Sequence, residues 1–449
     1  MAKPFLSRPR LRFMGLVAVG LRECSIFNQI SKRFRSSRLS LGAPASRRRD
    51  AGAPRRWLRP LIVAPLLFLF ALSHQPSWAL EIPLDSGGLG YTNYRFADVP
   101  WSIHVVRVPR TNAVYEVHSV HAGKGALGLD TLSDQLVLAN SSTGAPIAAI
   151  NGDFYQRDRA YAGAPRGLQI VDGELIRGPG SDISFWIDAN GETHATNVES
   201  LFRVTWPDGT STPFGLNGER SPSRAELYTP AIGRSTRTWG GCELVLERAE
   251  GSAWLPLRIG KSYSAIIREI RDKGDTPLRP NTLVLSLGTV ALRRLPAVTN
   301  GAVIRIFTTS DPALHGVRTA IAGGPVLVRN GRAQKPPPVA AETYEYTSMF
   351  ERHPRAAVGW NQSAFFLVEV DGRQRNLSVG MTLQELGRFL VSLGCQEAMN
   401  FDGGGSATLW FDGEVRNSPC ERAEREIANS LVITKGRGDP AARSASNRP

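Results

Sequence analysis

From Trp101 onward, short apolar runs alternate with turn dipeptides. Asn-Gly and Asp-Gly pairs, which readily adopt the positive φ of two-residue hairpin turns, begin at positions 172, 190, 208, 330, 371 and 412. The pattern predicts several antiparallel hairpins, and the clearest lie at residues 167–176, 325–332, 364–373 and 407–416.

Helical periodicity occurs in few segments. Thr382 and Glu385 form a capping box, leucines recur at helical spacing from 383 to 393, and Gly394 provides a stop signal. A weaker helix is predicted at 129–140, and further strands at 242–247, 282–287 and 303–308, which suit a sub-domain or an insertion. We therefore predict an α+β fold, with a central curved or barrel-like, largely antiparallel sheet and a few packed helices.

The net charge of +14 raises the question of nucleic-acid binding. Residues 1–59 carry 15 Lys and Arg against Glu23 and Asp50, whereas the rest of the chain has 39 basic and 38 acidic residues. Beyond residue 59 the chain is therefore nearly neutral and has no electrostatic reason to bind DNA or RNA. We expect no nucleic-acid partner.

The N-terminal region has the order of a secretory leader. Residues 60–79 lack charged side chains, their apolar centre spans 61–72, and Ser77-Trp78-Ala79 supplies the small residues that a signal peptidase requires. We predict a signal peptide at 56–79 and an exported product that is periplasmic, secreted or anchored at the envelope. An uncleaved anchor over 57–80 is the alternative, and membrane contact is expected only through this segment.

The remaining boundaries follow from composition. Residues 1–55 are expected to be a disordered extension or sequence upstream of the true start, 80–434 the functional domain, and 435–449 a disordered tail. An exported domain can keep a disulfide. Cys395 and Cys420 flank the glycine-rich segment described next and are the favoured pair, while buried free thiols are the alternative.

The sharpest polar feature is the run Asn-Phe-Asp-Gly-Gly-Gly-Ser from Asn400 to Ser406, between two predicted strands. Familiar catalytic motifs, such as His-Glu-x-x-His, a Walker loop or Gly-x-Ser-x-Gly, do not occur in the sequence. Three successive glycines are costly in chain entropy, but they let backbone N–H groups approach an anion. We predict that Asp402 is exposed at the mouth of this turn, and a flexible hairpin without function is the alternative.

Three further segments place polar residues or glycines at strand ends. The run from Asn151 to Asp153 follows a predicted strand and precedes Arg166, and Gly324 ends another apolar run. Arg355 begins a strand, where its guanidinium would clamp a phosphate through two parallel bonds. A solvated surface charge is the alternative for this arginine.

In this order along the chain, the segments resemble the phosphodiester glycosidase family over residues 145–434. The resemblance is carried by Asn151-Gly152-Asp153-Phe154, Gly324-Pro325, Pro354-Arg355 with Gly359, the run from Asn400 to Ser406, and Arg425 ahead of Ile427-Ala428-Asn429-Ser430-Leu431. It implies an exported hydrolase that cleaves a sugar-1-phosphodiester at the anomeric C–O bond, on an envelope or extracellular phosphorylated glycan.

The resemblance also implies roles for the site residues. Asp402 and Asp153, as nucleophile or base, and Arg355, as phosphate clamp, are the expected catalytic residues. The expected substrate-binding residues are Asn151, Gly152, Arg166, Gly324, Asn400, Gly403, Gly404, Gly405, Ser406 and Arg425. No cofactor is certain, and a divalent cation held by the two aspartates stays open. The alternatives are a non-catalytic envelope module that binds phosphorylated or acidic glycans and a hydrolase of ordinary glycosides.

Overall fold

A computed structural model describes residues 82–86, 88–110, 114–123, 126–157, 159–180, 182–337 and 344–436. The predicted N-terminal extension and signal peptide lie outside this range, and so do residues 437–449 of the tail predicted at 435–449, whereas Lys435 belongs to the last strand. Within it, no helix combines the length and the apolar character needed to cross a membrane.

The described chain consists mainly of short strands, with three α-helices. The helices are α1 (Leu132–Ser142), α2 (Tyr344–Phe350) and α3 (Leu383–Ser392). The strands are β1 (Gly90–Phe96), β2 (Trp101–Pro109), β3 (Tyr115–His121), β4 (Pro146–Asn151), β5 (Gln169–Val171), β6 (Glu174–Arg177), β7 (Ile183–Ile187), β8 (Thr193–Asn197), β9 (Glu199–Ser200), β10 (Arg203–Thr205), β11 (Ser211–Leu216), β12 (Ala225–Tyr228), β13 (Cys242–Arg248), β14 (Ser262–Arg271), β15 (Leu283–Leu287), β16 (Val303–Phe307), β17 (Ser310–Asp311), β18 (Thr319–Gly323), β19 (Val326–Arg329), β20 (Arg332–Ala333), β21 (Arg355–Trp360), β22 (Ala364–Val370), β23 (Glu397–Asn400), β24 (Leu409–Phe411), β25 (Glu414–Val415) and β26 (Asn429–Lys435).

The strands form open sheets and one closed barrel. A seven-stranded sheet has the order β1-β2-β22-β21-β23-β19-β20, and two five-stranded sheets have the orders β6-β5-β18-β7-β8 and β25-β24-β4-β26-β3. The barrel has the order β10-β11-β12-β15-β13-β14-β16, in which β11 and β12 are parallel and the other neighbours antiparallel. The predicted fold class, a largely antiparallel and barrel-like sheet structure with a few helices, is confirmed.

Most of the local predictions are confirmed as well. Hairpins turn at positions 172, 190, 208, 330 and 412, joining β5 to β6, β7 to β8, β10 to β11, β19 to β20 and β24 to β25. Helix α3 begins after the Thr382 and Glu385 capping box, and the weaker helix is α1. The strands predicted at 242–247, 282–287 and 303–308 are β13, β15 and β16 of the barrel.

The hairpin predicted at 364–373 is wrong. Strand β22 ends at Val370 and pairs on one side with β2 and on the other with β21. Gly372 instead permits a close chain crossing, because a Cβ at this position would lie 2.6 Å from the backbone nitrogen of Pro354. The chain then continues into a loop that carries Arg373.

The favoured disulfide between Cys395 and Cys420 is also wrong, because both cysteines are free thiols in the described structure, as is Cys242. Cys395 is buried against α3 and β21, in the cluster that contains Leu390. Cys420 instead lies near Glu369, whose side chain faces the opposite side of the same sheet. The sheet therefore separates the two sulfur atoms.

The core that supports the glycine-rich segment packs the seven-stranded sheet against the sheet that contains β4, β24 and β26. It includes Ile150 of β4, Val358 of β21, Met399 of β23, Leu409 of β24 and Leu431 of β26, all nearly inaccessible to solvent. Strands that are far apart in sequence therefore end close together, and their connecting segments form the site.

Candidate active site

The glycine-rich segment is a tight turn whose glycines each meet a steric requirement. Gly404 has φ +62, which favours glycine. A Cβ on Gly403 would lie 2.6 Å from the Pro354 carbonyl oxygen, and one on Gly405 would lie 2.0 Å from a guanidinium nitrogen of Arg425. The turn therefore brings the backbone close to a neighbouring loop and to a cation.

Asp402 is the carboxylate at the start of this turn. It is half-buried, and one carboxylate oxygen accepts a 2.9 Å hydrogen bond from the Gly403 N–H. Burial raises the pKa of Asp402, while hydrogen bonds from Ser406 and Gly403 and the charges of Arg425 and Arg157 act in the opposite direction. The carboxylate is thus held by donors and faces two cations.

Asn151 and Gly152 lie beneath Asp402. The Asn151 side-chain amide donates to the Asp402 carbonyl oxygen at 2.7 Å and accepts from the Thr408 N–H at 3.1 Å. The Asp402 N–H donates to the Gly152 carbonyl oxygen at 2.9 Å. These two predicted site residues therefore contact the backbone of the Asp402 turn.

Asp153 is buried behind the same region, with 2% of its surface exposed. One of its oxygens accepts from the Gly167 N–H at 2.9 Å, and the other has no hydrogen-bond partner in the described part of the chain. Burial raises the pKa of Asp153 to about 7. Its carboxyl group is therefore poised to hold a proton near neutral pH.

A cavity of about 850 Å³ opens at the glycine-rich turn. Of the predicted site residues, those that line it are Asp402, Arg355, Arg166, Gly324, Asn400, Gly403, Gly404, Gly405 and Arg425. Asp153, Asn151, Gly152 and Ser406 are not among its described lining residues. Ser406 contacts Arg425, whose guanidinium lies 3.4 Å from the hydroxyl oxygen.

Basic side chains dominate the charge of this cavity. Its cations are Arg157, Arg166, Arg329, Lys335, Arg355, Arg373 and Arg425, against the carboxylates Asp182 and Asp402. Asp182 is 3.6 Å from Arg166. The pKa of His353, another lining residue, is lowered by burial and by Arg355 and Arg373. The cavity is therefore suited to an anionic ligand.

Three arginines converge beside Asp402. Arg425 binds the exposed carboxylate of Glu421 through two nitrogens, and Arg157 and Arg373 also act electrostatically on Glu421. A Cβ on Gly404 would lie 3.2 Å from the Arg373 guanidinium. The Glu421 carboxylate thus lies in the electrostatic field of three arginines.

Arg157 and Arg373 lie outside the motifs from which the site is predicted. Arg157 stands outside any glycine-rich motif, and Arg373 follows the Asp-Gly pair that was interpreted as a hairpin turn. Arg373 has φ +59, so its own backbone makes the bend. The sequence signal that could have indicated Arg373 is a Gly-Arg pair directly after a long apolar strand.

Arg355 lies deeper than a surface clamp. It is 5% exposed, and its guanidinium donates to the carbonyl oxygens of Met381 at 2.8 Å and Glu351 at 2.9 Å. The alternative of a solvated surface charge is therefore wrong. Arg355 both holds neighbouring loops and presents its charge to the cavity.

Asn400 and Gly324 also line the cavity. The Asn400 amide nitrogen donates to the carbonyl oxygens of Gly324 at 2.9 Å and Phe401 at 2.6 Å. Its amide oxygen is buried and has no hydrogen-bond partner among the described residues. This oxygen is thus an unpaired acceptor that solvent does not reach.

Comparison of sequences relates part of the chain to known proteins. Residues 270–434 match the family model of the phosphodiester glycosidases. The SPbeta prophage-derived protein YomE of Bacillus subtilis, which is uncharacterised, is 29% identical over 120 residues, 26% of this chain and 18% of YomE. The bovine N-acetylglucosamine-1-phosphodiester alpha-N-acetylglucosaminidase is 28% identical over 151 residues, 30% of this chain and 27% of the enzyme. The chain thus matches under a third of either relative.

Two solved structures share the fold. A hypothetical protein from Synechocystis has a TM-score of 0.60 at 19% identity, over 77% of this chain and 61% of the other. A protein from Burkholderia pseudomallei, named provisionally as an exported protein, has a TM-score of 0.57 at 19% identity, over 74% of each chain.

The family match begins at residue 270, so it includes Arg355, the glycine-rich turn and Arg425 but not the segment from Asn151 to Asp153. The resemblance that these motifs carry is confirmed for residues 270–434, which match the phosphodiester glycosidase family model, and the similarity to the bovine enzyme agrees with this match.

Proposed function

We propose that this protein hydrolyses a sugar-1-phosphodiester at the anomeric C–O bond and releases the free sugar. The observation that carries the proposal is the convergence of Arg157, Arg373 and Arg425 beside the half-buried carboxylate of Asp402 in one cavity. An anion site next to a carboxylate fits a substrate that places a phosphate beside a sugar carbon.

The phosphate would bind where Glu421 now contacts Arg425. Guanidinium groups bind phosphate oxygens through pairs of parallel hydrogen bonds, and three of them can stabilise both the single negative charge of a phosphodiester and the larger charge of the monoester that it becomes. The Gly403 and Gly404 N–H groups of the adjacent turn already donate to the Asp402 carboxylate and to the Pro354 carbonyl oxygen. As the C–O bond breaks, the three guanidinium groups therefore stabilise the negative charge that develops on the departing phosphate.

Asp402 would face the anomeric carbon. A carboxylate there stabilises the oxocarbenium-like transition state, either by bonding to the carbon or by taking a proton from the attacking water. Water supplies the hydroxyl group of the released sugar, and the phosphate leaves as a monoester. A phosphate whose second pKa is about 6 leaves readily, so the reaction requires no strong general acid.

The other predicted residues have supporting roles in this proposal. Asn151 and Gly152 hold the Asp402 turn through its backbone, and Asp153 holds the Gly167 N–H near Arg166. Arg355 contributes positive charge while it joins the loops at Met381 and Glu351. The Asn400 amide nitrogen holds the carbonyl groups of Gly324 and Phe401 beside the cavity.

The proposed setting is the cell envelope or the extracellular space. The leader-like order of residues 56–79 supports export, and so does the provisional name of the Burkholderia protein that shares the fold. The substrate would then be an envelope or extracellular phosphorylated glycan.

The test is hydrolysis of an N-acetylhexosamine-1-phosphodiester in ¹⁸O-labelled water. C–O cleavage places the label on the sugar, whereas P–O cleavage places it on the phosphate. Label on the sugar, with turnover at least 10-fold above that of the matching aryl glycoside, supports the proposal. Label on the phosphate, equal turnover of the aryl glycoside, or saturable binding without product would reject it; the last result would identify a binding module.

A further inference from the structure

A buried cluster outside the cavity joins one histidine and two carboxylates. His104 of β2 lies directly opposite Glu369 of β22, and Asp371 is two residues further along, so all three face the same side of the sheet. They are 3%, 0% and 1% exposed, and their ligand atoms all lie within 4.8 Å of one another.

Glu369 is the member of this cluster whose buried carboxyl group lacks the hydrogen bonds that such a group normally has. Neither of its carboxylate oxygens has a hydrogen-bond partner among the described residues. The nearby Asn417 amide donates one hydrogen to the Ala407 carbonyl oxygen and accepts from the Leu409 N–H, so it has at most one hydrogen to offer the two Glu369 oxygens. A buried carboxylate without a partner costs several kcal/mol, and protonation would still leave its oxygens unpaired. A bound cation satisfies both the charge and the lone pairs.

The other two side chains already contact each other, and they would exchange that hydrogen bond for bonds to the ion. The His104 Nε2 atom is 2.9 Å from one oxygen of Asp371, and the Nδ1 atom is 2.8 Å from the Tyr91 hydroxyl. A metal-bound imidazole typically has such a polar partner on its second nitrogen. Asp371 also accepts hydrogen bonds from the Ser102 hydroxyl and the Ser418 N–H, both at 2.7 Å.

We propose that His104, Glu369 and Asp371 bind one Zn²⁺ ion. An imidazole nitrogen with two carboxylates suits a first-row transition ion better than Ca²⁺, which prefers oxygen ligands alone. Bonds to Zn²⁺ are about 2.0 to 2.2 Å long, so small side-chain rotations bring the three groups onto one ion.

The ion would anchor two loops of the cavity rim. Asp371 precedes the loop of Arg373, and its bond to Ser418 joins that loop to the segment that carries Glu421. Gln374 and Ser418 add two side-chain contacts between the same segments, at 2.7 and 2.9 Å. The site is structural, and its existence does not depend on the reaction proposed for the cavity.

The test uses the full chain, stripped with a chelator and titrated with Zn²⁺. Equilibrium dialysis with metal analysis should show one ion per chain, and Zn²⁺ should raise the Tm in a concentration-dependent way. Glu369→Gln should weaken Zn²⁺ binding by about 100-fold or more. Glu243→Gln is the matched control, because Glu243 is equally buried but bonds to Thr236, Thr238 and Thr276; it should bind Zn²⁺ like the wild type.

Several results would overturn the proposal: no Zn²⁺ bound by the wild type, unchanged binding by Glu369→Gln, or equal weakening in the Glu243→Gln control. If Glu369→Gln does not fold, X-ray absorption of the Zn²⁺-loaded wild type decides. One imidazole nitrogen with oxygen ligands supports the site, and a shell without imidazole rejects it.

Discussion

Replacing Asp402 with Asn removes the negative charge of the site while it keeps the shape of the turn. The asparagine oxygen can still accept the Gly403 N–H, and its amide nitrogen can donate to the Ser406 hydroxyl. A unit charge about 4 Å from a developing sugar cation contributes roughly 4 kcal/mol at an effective dielectric constant of 20. Part of this is lost to solvent because Asp402 is half-buried. We therefore expect kcat to fall by about 10² to 10³-fold, since 1.36 kcal/mol corresponds to a factor of ten.

The assay is initial-rate release of reducing sugar from the phosphodiester at saturating concentration, with the Tm measured in parallel. The matched control is Asp412→Asn, an aspartate of the β24–β25 turn with φ +49, a conformation that Asn also adopts. We expect its kcat to equal that of the wild type. If Asp402→Asn keeps kcat within about 5-fold of the wild type while it folds normally, a charge-based role for Asp402 is refuted.

Three further predictions concern charge. Arg373→Lys and Arg355→Lys keep a positive charge but lose the planar guanidinium group. Each should therefore raise KM for the phosphodiester by about 10-fold and leave residual hydrolysis of an uncharged aryl glycoside unchanged. Equal losses of activity on both substrates would contradict the phosphate-binding role. Glu421→Gln frees Arg425 from a competing, half-exposed carboxylate and should lower KM for the phosphodiester by about 2 to 5-fold. A higher KM would contradict this prediction and show that Glu421 helps substrate binding. Because the folded-state pKa of Asp153 is raised from 3.8 to about 7, the wild type should lose up to about 4 kcal/mol of stability as pH rises from 4 through 7. Urea unfolding from pH 4 to 8 should show no such loss of stability in Asp153→Asn. If the free energies of unfolding of the wild type and Asp153→Asn change with pH in parallel, the prediction is contradicted.

The sequence predicted well those features that are set by neighbouring residues. The Thr382 capping box and five of the six dipeptide turns depend on side chains and φ angles within a few positions. The wrong hairpin at 364–373 shows the limit of such signals. Its Asp-Gly pair is locally suitable, but β22 finds its partners in β2, more than 250 residues earlier, and in β21.

The same limit explains which parts of the site were missed. The barrel closes through pairing of β10 with β16, and Arg157 and Arg373 reach Glu421 only because distant segments meet. His104 and Glu369 are likewise opposite each other across a pairing that no local pattern reveals. Glycines, in contrast, marked close approaches reliably, as at Gly403 and Gly405.

The two asparagines of the motifs, Asn151 and Asn400, have a structural role beside the Asp402 carboxylate. A charged side chain at the end of a buried strand is followed by a turn whose backbone is shielded from water. Each backbone N–H and carbonyl group of that turn therefore needs a hydrogen-bond partner within the protein. Asparagine provides a donor and an acceptor at once. Asn151 uses both, on Asp402 and Thr408, while Asn400 joins Gly324 to Phe401 with its donor, and its buried acceptor has no partner among the described residues. Both asparagines are thus parts of the scaffold that fixes the Asp402 turn, Asn151 through its donor and its acceptor and Asn400 through its donor.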